Sequence, residues 1–270
     1  MLHDSINLEN KEIDYFYLAS IKYKEYMIKI VEEFKMISFE EYKTLLCYLI
    51  VREKLNIDSE LGLNSFCRGI ELTANDKHIT ELPKEIGNLV NLTYLNLARN
   101  LIQVIPKEIK YLTNLEELLL SRNPLGGIIP EEIYTLISLK SLVISGIGIT
   151  KLSNQITNLI HLVELILNTN NLGNFPIEIL SLTNLRNLSL RQNKISELPK
   201  AFGNMTGIAI LYLDYNSIKE LPETISKLTG LLELGLRDNP IINVKKIIIA
   251  LPSLKYLGVN SGGSTMRIMD

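Results

Sequence analysis

Residues 79–100 read ITELPKEIGNLVNLTYLNLARN, and the last ten of them, NLTYLNLARN, decide the fold. Leu92, Leu95, Leu97 and Asn100 make the pattern L-x-x-L-x-L-x-x-N. Leu95 and Leu97 flank Asn96, so the two leucines share one face of a short strand and Asn96 points to the other. The pattern returns as NLEELLLSRN, HLVELILNTN, NLRNLSLRQN, GIAILYLDYN and GLLELGLRDN. Taking the ninth-position residues as Asn75, Asn100, Asn123, Ile147, Asn170, Asn193, Asn216, Asn239 and Gly262, the spacings are 25, 23 and 24, then 23 throughout. A unit this small cannot bury its own leucines, so nine of them must stack on one another and share a core.

The rest of each unit follows the same rule. A second apolar set, Ile102 with Ile105, lies after the turn, and Ile109 and Leu112 anchor the far side, with counterparts at Ile179 and Leu182 and at Ile225 and Leu228. Pro83, Pro106, Pro130, Pro176, Pro199 and Pro222 fix φ where the chain starts its convex segment. Repeat four has Ser153 there and repeat eight has Lys245, which predicts a less regular convex side at both places. The ninth-position asparagines are scaffold groups, because a buried amide both donates to and accepts from the backbone of a tight turn. Ile147, set between Gly146 and Gly148, predicts a reshaped turn in repeat four.

From Cys67 to about residue 260 the chain resembles the 23-residue repeats of intracellular Ras-group leucine-rich-repeat proteins and of similar bacterial proteins. One unit departs from its neighbours: NPLGGIIPEEIYTLISL carries the extra residue and the N-x-L-x-G-x-I-P run of the plant-type repeat. The resemblance implies an α/β solenoid, a horseshoe with a parallel concave β-sheet and an N-terminal helical cap. It also implies binding of a protein partner, in a small-GTPase pathway or, in a bacterium, with a host or cell-envelope protein.

Three segments result. Residues 1–66 do not repeat and read as two helices, about 10–37 and 38–55, separated by an S-x-x-E capping box at Ser38 and Glu41. They serve as a cap over the open end of the solenoid or, since half of the twelve tyrosines lie there, as a docking module. Residues 67–262 are the nine repeats. The tail, residues 263–270, has no apolar pattern, so the C-terminal end of the core looks uncapped.

Composition narrows the function. A net charge of −2 with scattered Lys and Arg gives no field for phosphate backbones, so nucleic acid is not expected as a partner. No run of apolar residues is long enough for membrane insertion. The start, MLHDSINLENKEID, lacks the basic end of a signal peptide, and Cys47 and Cys67 are the only cysteines, which together predict a cytoplasmic protein. His3, His78 and His161 are far apart, no glycine-rich phosphate loop occurs, and both cysteines sit in apolar positions. No catalytic group, cofactor or metal is therefore expected.

Outward strand positions should align into a central concave column of Glu71, Asn96, Leu119, Val143, Ile166, Ser189, Tyr212, Gly235 and Gly258. Three consecutive apolar side chains, Leu119, Val143 and Ile166, form a patch that monomers avoid unless it is used. Arg99 and Arg122 flank its start, and Ile210, Tyr212 and Tyr215 with Arg191 and Arg237 form a second island rich in the residue types that dominate interfaces. The leading reading is a protein-binding adaptor, a monomer or weak homo-oligomer. The alternatives are a structural protein that self-associates through its C-terminal end and, third, a hydrolytic enzyme using carboxylates such as Glu117, Glu164 and Glu233.

Overall fold

The structure, a computed structural model, describes residues 39–55, 71–242, 244–259 and 266–267. The helix expected over about 10–37, Ser38 of the capping box and Cys67 lie outside them. The first described element is α1, Phe39–Lys54. It lays Cys47, Tyr48, Val51 and Leu55 into the same core as the repeats. The Tyr48 hydroxyl donates to the Glu71 carbonyl at 3.0 Å, and Lys54 pairs with Glu85 at 2.8 Å.

Nine three-residue strands then form one parallel sheet in chain order. They are β1 (Glu71–Thr73), β2 (Tyr94–Asn96), β3 (Glu117–Leu119), β4 (Ser141–Val143), β5 (Glu164–Ile166), β6 (Asn187–Ser189), β7 (Ile210–Tyr212), β8 (Glu233–Gly235) and β9 (Tyr256–Gly258). The inward leucine of each strand is fully buried, as at Leu95, Leu118, Leu142, Leu165, Leu188 and Leu211. After each of the first seven strands the chain crosses behind the sheet in a five-residue 3-10 helix, such as Lys107–Tyr111 or Ile177–Ser181. Strands sit about 4.8 Å apart whereas an α-helix is about 10 Å wide, so a slender 3-10 turn is what fits behind each strand without splaying the sheet. The prolines start these helices at φ between −74° and −57°.

Two expectations for the convex side divide. Repeat eight does depart, with the α-helix α2 (Val244–Ala250) replacing the 3-10 turn. Repeat four does not: Asn154–Asn158 has the same length as its neighbours, because Ser153 takes the backbone angles of a proline and its side chain accepts from the Gln155 N–H at 3.2 Å.

The first repeat corrects the alignment read from the sequence. Leu72 pairs with Leu95 and Thr73 with Asn96, so Thr73 heads the central column and Glu71 belongs beside Tyr94. Ala74, fully buried, holds the second leucine position, and Lys77 stands where an asparagine was expected. The apparent spacing of 25 is therefore a slip of two residues. A slip of two keeps every side chain on its face, so alternation alone cannot detect it.

The asparagine column works as a ladder between turns. Asn100 donates to the carbonyls of Ala74 and Leu97 at 2.8 and 2.9 Å and accepts from the N–H groups of Lys77 and Ile79 at 3.0 and 3.1 Å. Asn170 accepts from three N–H groups, those of Ile147, Gly148 and Ile149. Ile147 can replace an asparagine because the turn it faces contains Pro124, which has no N–H, and Leu125 donates locally to Asn123 instead, at 2.9 Å. Gly262, a further position without asparagine, likewise follows an Asn-Pro pair, Asn239-Pro240.

At the far end, β10 (Met266–Arg267) pairs antiparallel with β9. The tail, expected to be patternless, thus contributes a short strand to the sheet edge.

Candidate protein-binding surface

The strand register sets two concave columns. One runs Tyr94, Glu117, Ser141, Glu164, Asn187, Ile210, Glu233 and Tyr256. The other, the central column, runs Thr73, Asn96, Leu119, Val143, Ile166, Ser189, Tyr212, Gly235 and Gly258. Leu119, Val143 and Ile166 are direct neighbours in successive strands. They are half-buried rather than protruding, since residues one strand apart cover one another's flanks.

A third column, just past the strands, is consumed by the backbone. The Ser121 hydroxyl accepts from the Ser145 N–H at 2.8 Å, and Ser145 accepts from the Asn168 N–H at 3.1 Å. Asn168 Oδ1 accepts from the Arg191 N–H at 2.9 Å and from the Ser189 hydroxyl at 2.6 Å. Asp214 Oδ1 accepts from the Arg237 N–H at 2.9 Å. The carbonyls of this column still accept from the preceding repeat, as Ser121 does from the Arg99 N–H at 2.8 Å, but these N–H groups take side-chain acceptors in place of a ladder carbonyl.

The next position bends the chain. Arg99, Arg122 and Tyr215 have φ of 58°, 57° and 58° and are exposed on the rim of the concave face. Arg99 and Arg122 make no ion pair with any described residue, which leaves two charged donors beside the Leu119 end of the strip.

The second island is more ordered than its sequence indicated. The Arg191 guanidinium lies 3.9 Å from the Tyr212 ring centroid, and its Nε donates to Asp214 Oδ2 at 2.8 Å. The Tyr212 hydroxyl donates to Glu233, and that bond, aided by burial, holds the phenol pKa above its usual value. Ile210 is half-buried in the flanking column. Beyond Tyr212 the central column has Gly235 and then Gly258, and a depression of about 420 Å3 opens over them. Its walls include Arg191, Tyr212, Asp214, Tyr215, Glu233, Arg237 and Tyr256. The sequence reading placed the arginines, two of these tyrosines, Glu233 as a concave carboxylate and both glycines in the central column, but did not join them with Tyr256 into one depression. Two consecutive glycines in one column were the available signal.

Of the recurring carboxylates, Glu164 accepts from Ser141 at 2.7 Å and from Asn187 at 2.6 Å, and Glu233 holds Tyr212. Among the described residues no group of His, Cys, Asp and Glu could hold a metal ion, and no helix is long and apolar enough to cross a membrane.

The sequence model described as leucine rich repeat matches residues 70–125 and 183–241. No curated protein matches the sequence. Among solved structures, a leucine-rich-repeat protein of Leptospira interrogans is 34% identical, with a TM-score of 0.61, over 71% of this chain and 55% of its own. Internalin C2 of Listeria monocytogenes is 25% identical, with a TM-score of 0.63, over 78% of this chain and 90% of its own. Internalin F of the same species, at 22% identity and a TM-score of 0.60, shares the fold over 71% of this chain and 56% of its own. The chain thus spans little more than half of the Leptospira structure. With nine in-register strands, the asparagine ladder and these similarities in hand, the chain is a leucine-rich-repeat protein.

Proposed function

We propose that the chain is a protein-interaction module whose partner lies on the concave sheet, over Leu119, Val143 and Ile166 and on towards Tyr212. The observation that carries this reading is the unbroken apolar strip on three adjacent strands. In the column just past the strands, the acceptor oxygens of Ser121, Ser145 and Asn168 already serve backbone N–H groups. What the face offers a partner is therefore apolar area, with Arg99 and Arg122 as directed donors at one end and Tyr212 and Tyr215 at the other. Large apolar and aromatic area with arginine at its margin is the composition from which interfaces draw most of their energy.

Self-association through the C-terminal end is the weaker reading, since Met266–Arg267 already occupy the outer edge of β9. Hydrolysis is weaker still, because Glu164 and Glu233 are each held by hydrogen bonds on an open sheet.

The test is affinity capture from a cell extract with wild type and with a Leu119→Lys, Tyr212→Ala variant of matching circular dichroism. A protein retained by the first and lost by the second is the expected result. Identical retention by both refutes the concave site.

A further inference from the structure

We infer that the depression over Gly235 and Gly258 is an anchoring pocket for an aromatic side chain of the protein partner. This rests on the reading of the concave face as a protein-binding surface and names the chemistry of one part of it.

The two glycines have different causes. A Cβ on Gly235 would stand 2.9 Å from both Asp214 Cγ and Tyr212 Cδ1, so it could enter only by displacing those side chains. A Cβ on Gly258 would meet only Arg237 and the Gly235 Cα, each at 3.5 Å, which is ordinary contact. Its φ is not in the left-handed region either. Neither the backbone nor the packing requires glycine at 258, and the effect of having one is an open floor at the end of the central column.

The walls decide what fits. The charged lining residues are two basic, Arg191 and Arg237, and two acidic, Asp214 and Glu233. Arg191 is bonded to Asp214, and Glu233 holds the Tyr212 hydroxyl, so a charged guest finds no net complement. An uncharged planar guest finds tyrosine rings, glycine backbone and the Arg237 side chain, which lies beside Gly258. Stacking and guanidinium contact favour an aromatic ring there. A cavity of about 420 Å3 lies at the small end of the range that holds such ligands, enough for one side chain.

The test needs no partner, so it succeeds or fails independently of the capture experiment. N-acetyltryptophan amide is titrated into the 15N-labelled full chain, with N-acetylarginine amide as the charged comparator. The expected result is saturable shifts at the Gly235 and Gly258 amides, with a dissociation constant on the order of 1 mM for a ligand of this size. The arginine probe should bind at least about tenfold more weakly. Gly258→Leu, which fills the floor, should abolish the shifts, and Tyr256→Ala, a second variant in case the first misfolds, should weaken binding several-fold. Absence of saturable shifts with the tryptophan probe, equal or tighter binding of the arginine probe, or an unchanged titration in the folded variants would each overturn the assignment.

Discussion

The central column changes character halfway along the sheet. From β3 to β5 it carries Leu119, Val143 and Ile166, and the polar groups beside them, Ser121, Ser145 and Asn168, are spent on backbone N–H groups. From β6 to β9 it carries Ser189, Tyr212, Gly235 and Gly258, and charged side chains fold over it in bonded pairs. The backbone beneath the two halves is the same, with identical register and fully buried inward leucines. Surface chemistry is therefore set by the outward residues of each strand, while stability is set by the inward ones. A repeat array can change its partner without touching its core.

That division can be broken most sharply by mutating the two faces of one strand. Leu165→Ala removes a fully buried side chain between stacked repeats and should cost about 2–5 kcal/mol in equilibrium urea unfolding. Ile166→Thr, one residue on and facing outward, should cost under about 1 kcal/mol. Comparable losses would mean that the concave strip is part of the core.

Next in size is a pH effect on the convex side. Tyr134 is fully buried, and burial pushes its phenol up to about 12 from the usual 10, with Ser153 and nearby glutamates adding smaller influences. Since the folded value is raised, the stabilisation is complete below pH 10 and is lost as pH rises from about 10 through about 12. Roughly 2–3 kcal/mol should disappear over that window. Tyr134→Phe should flatten the decline, and an undiminished slope in that variant would assign the loss to other groups.

The asparagine ladder gives a third contrast. Asn170→Ala strands three N–H groups and should cost about 1–3 kcal/mol. Ile147→Asn should bring no gain, because the turn it faces has Pro124 in place of a donor. A stabilised Ile147→Asn protein would contradict that explanation. The glycine pair gives the last contrast. Gly235→Ala should cost about 1–3 kcal/mol through the clash with Asp214 and Tyr212, and Gly258→Ala under about 1 kcal/mol, as thermal or urea unfolding would show.

Most of the fold was legible because its signal is periodic. Inward leucines, convex prolines and turn asparagines each repeat, so an error at one unit is outvoted by the others. It failed where repetition was weakest. In repeat one, Ala74 and Lys77 replace a leucine and an asparagine, and Asn75 offers a false register that leaves every face unchanged. Ser153 misled because the proline position needs a backbone conformation that serine also adopts when its hydroxyl accepts from Gln155. The surface was less legible. Position in the motif tells which side chains point outward, so Leu119, Val143, Ile166 and Tyr212 could be named. It does not tell which of them fold onto neighbours. The Arg191 contacts to Tyr212 and Asp214 and the Glu233 bond to Tyr212 join residues 21 or 23 positions apart, and only the stacking brings them together.

The proposed partner contacts lie on the outward strand residues and not on the rest of the solenoid surface. The direct test places one lysine on the sheet, Val143→Lys, and one off it, Ile160→Lys in the exposed turn between the Asn154–Asn158 helix and β5, and compares retention of the captured partner by both folded variants. Val143→Lys should abolish retention and Ile160→Lys should leave it intact. Retention that survives Val143→Lys, or is lost in Ile160→Lys, would contradict that placement.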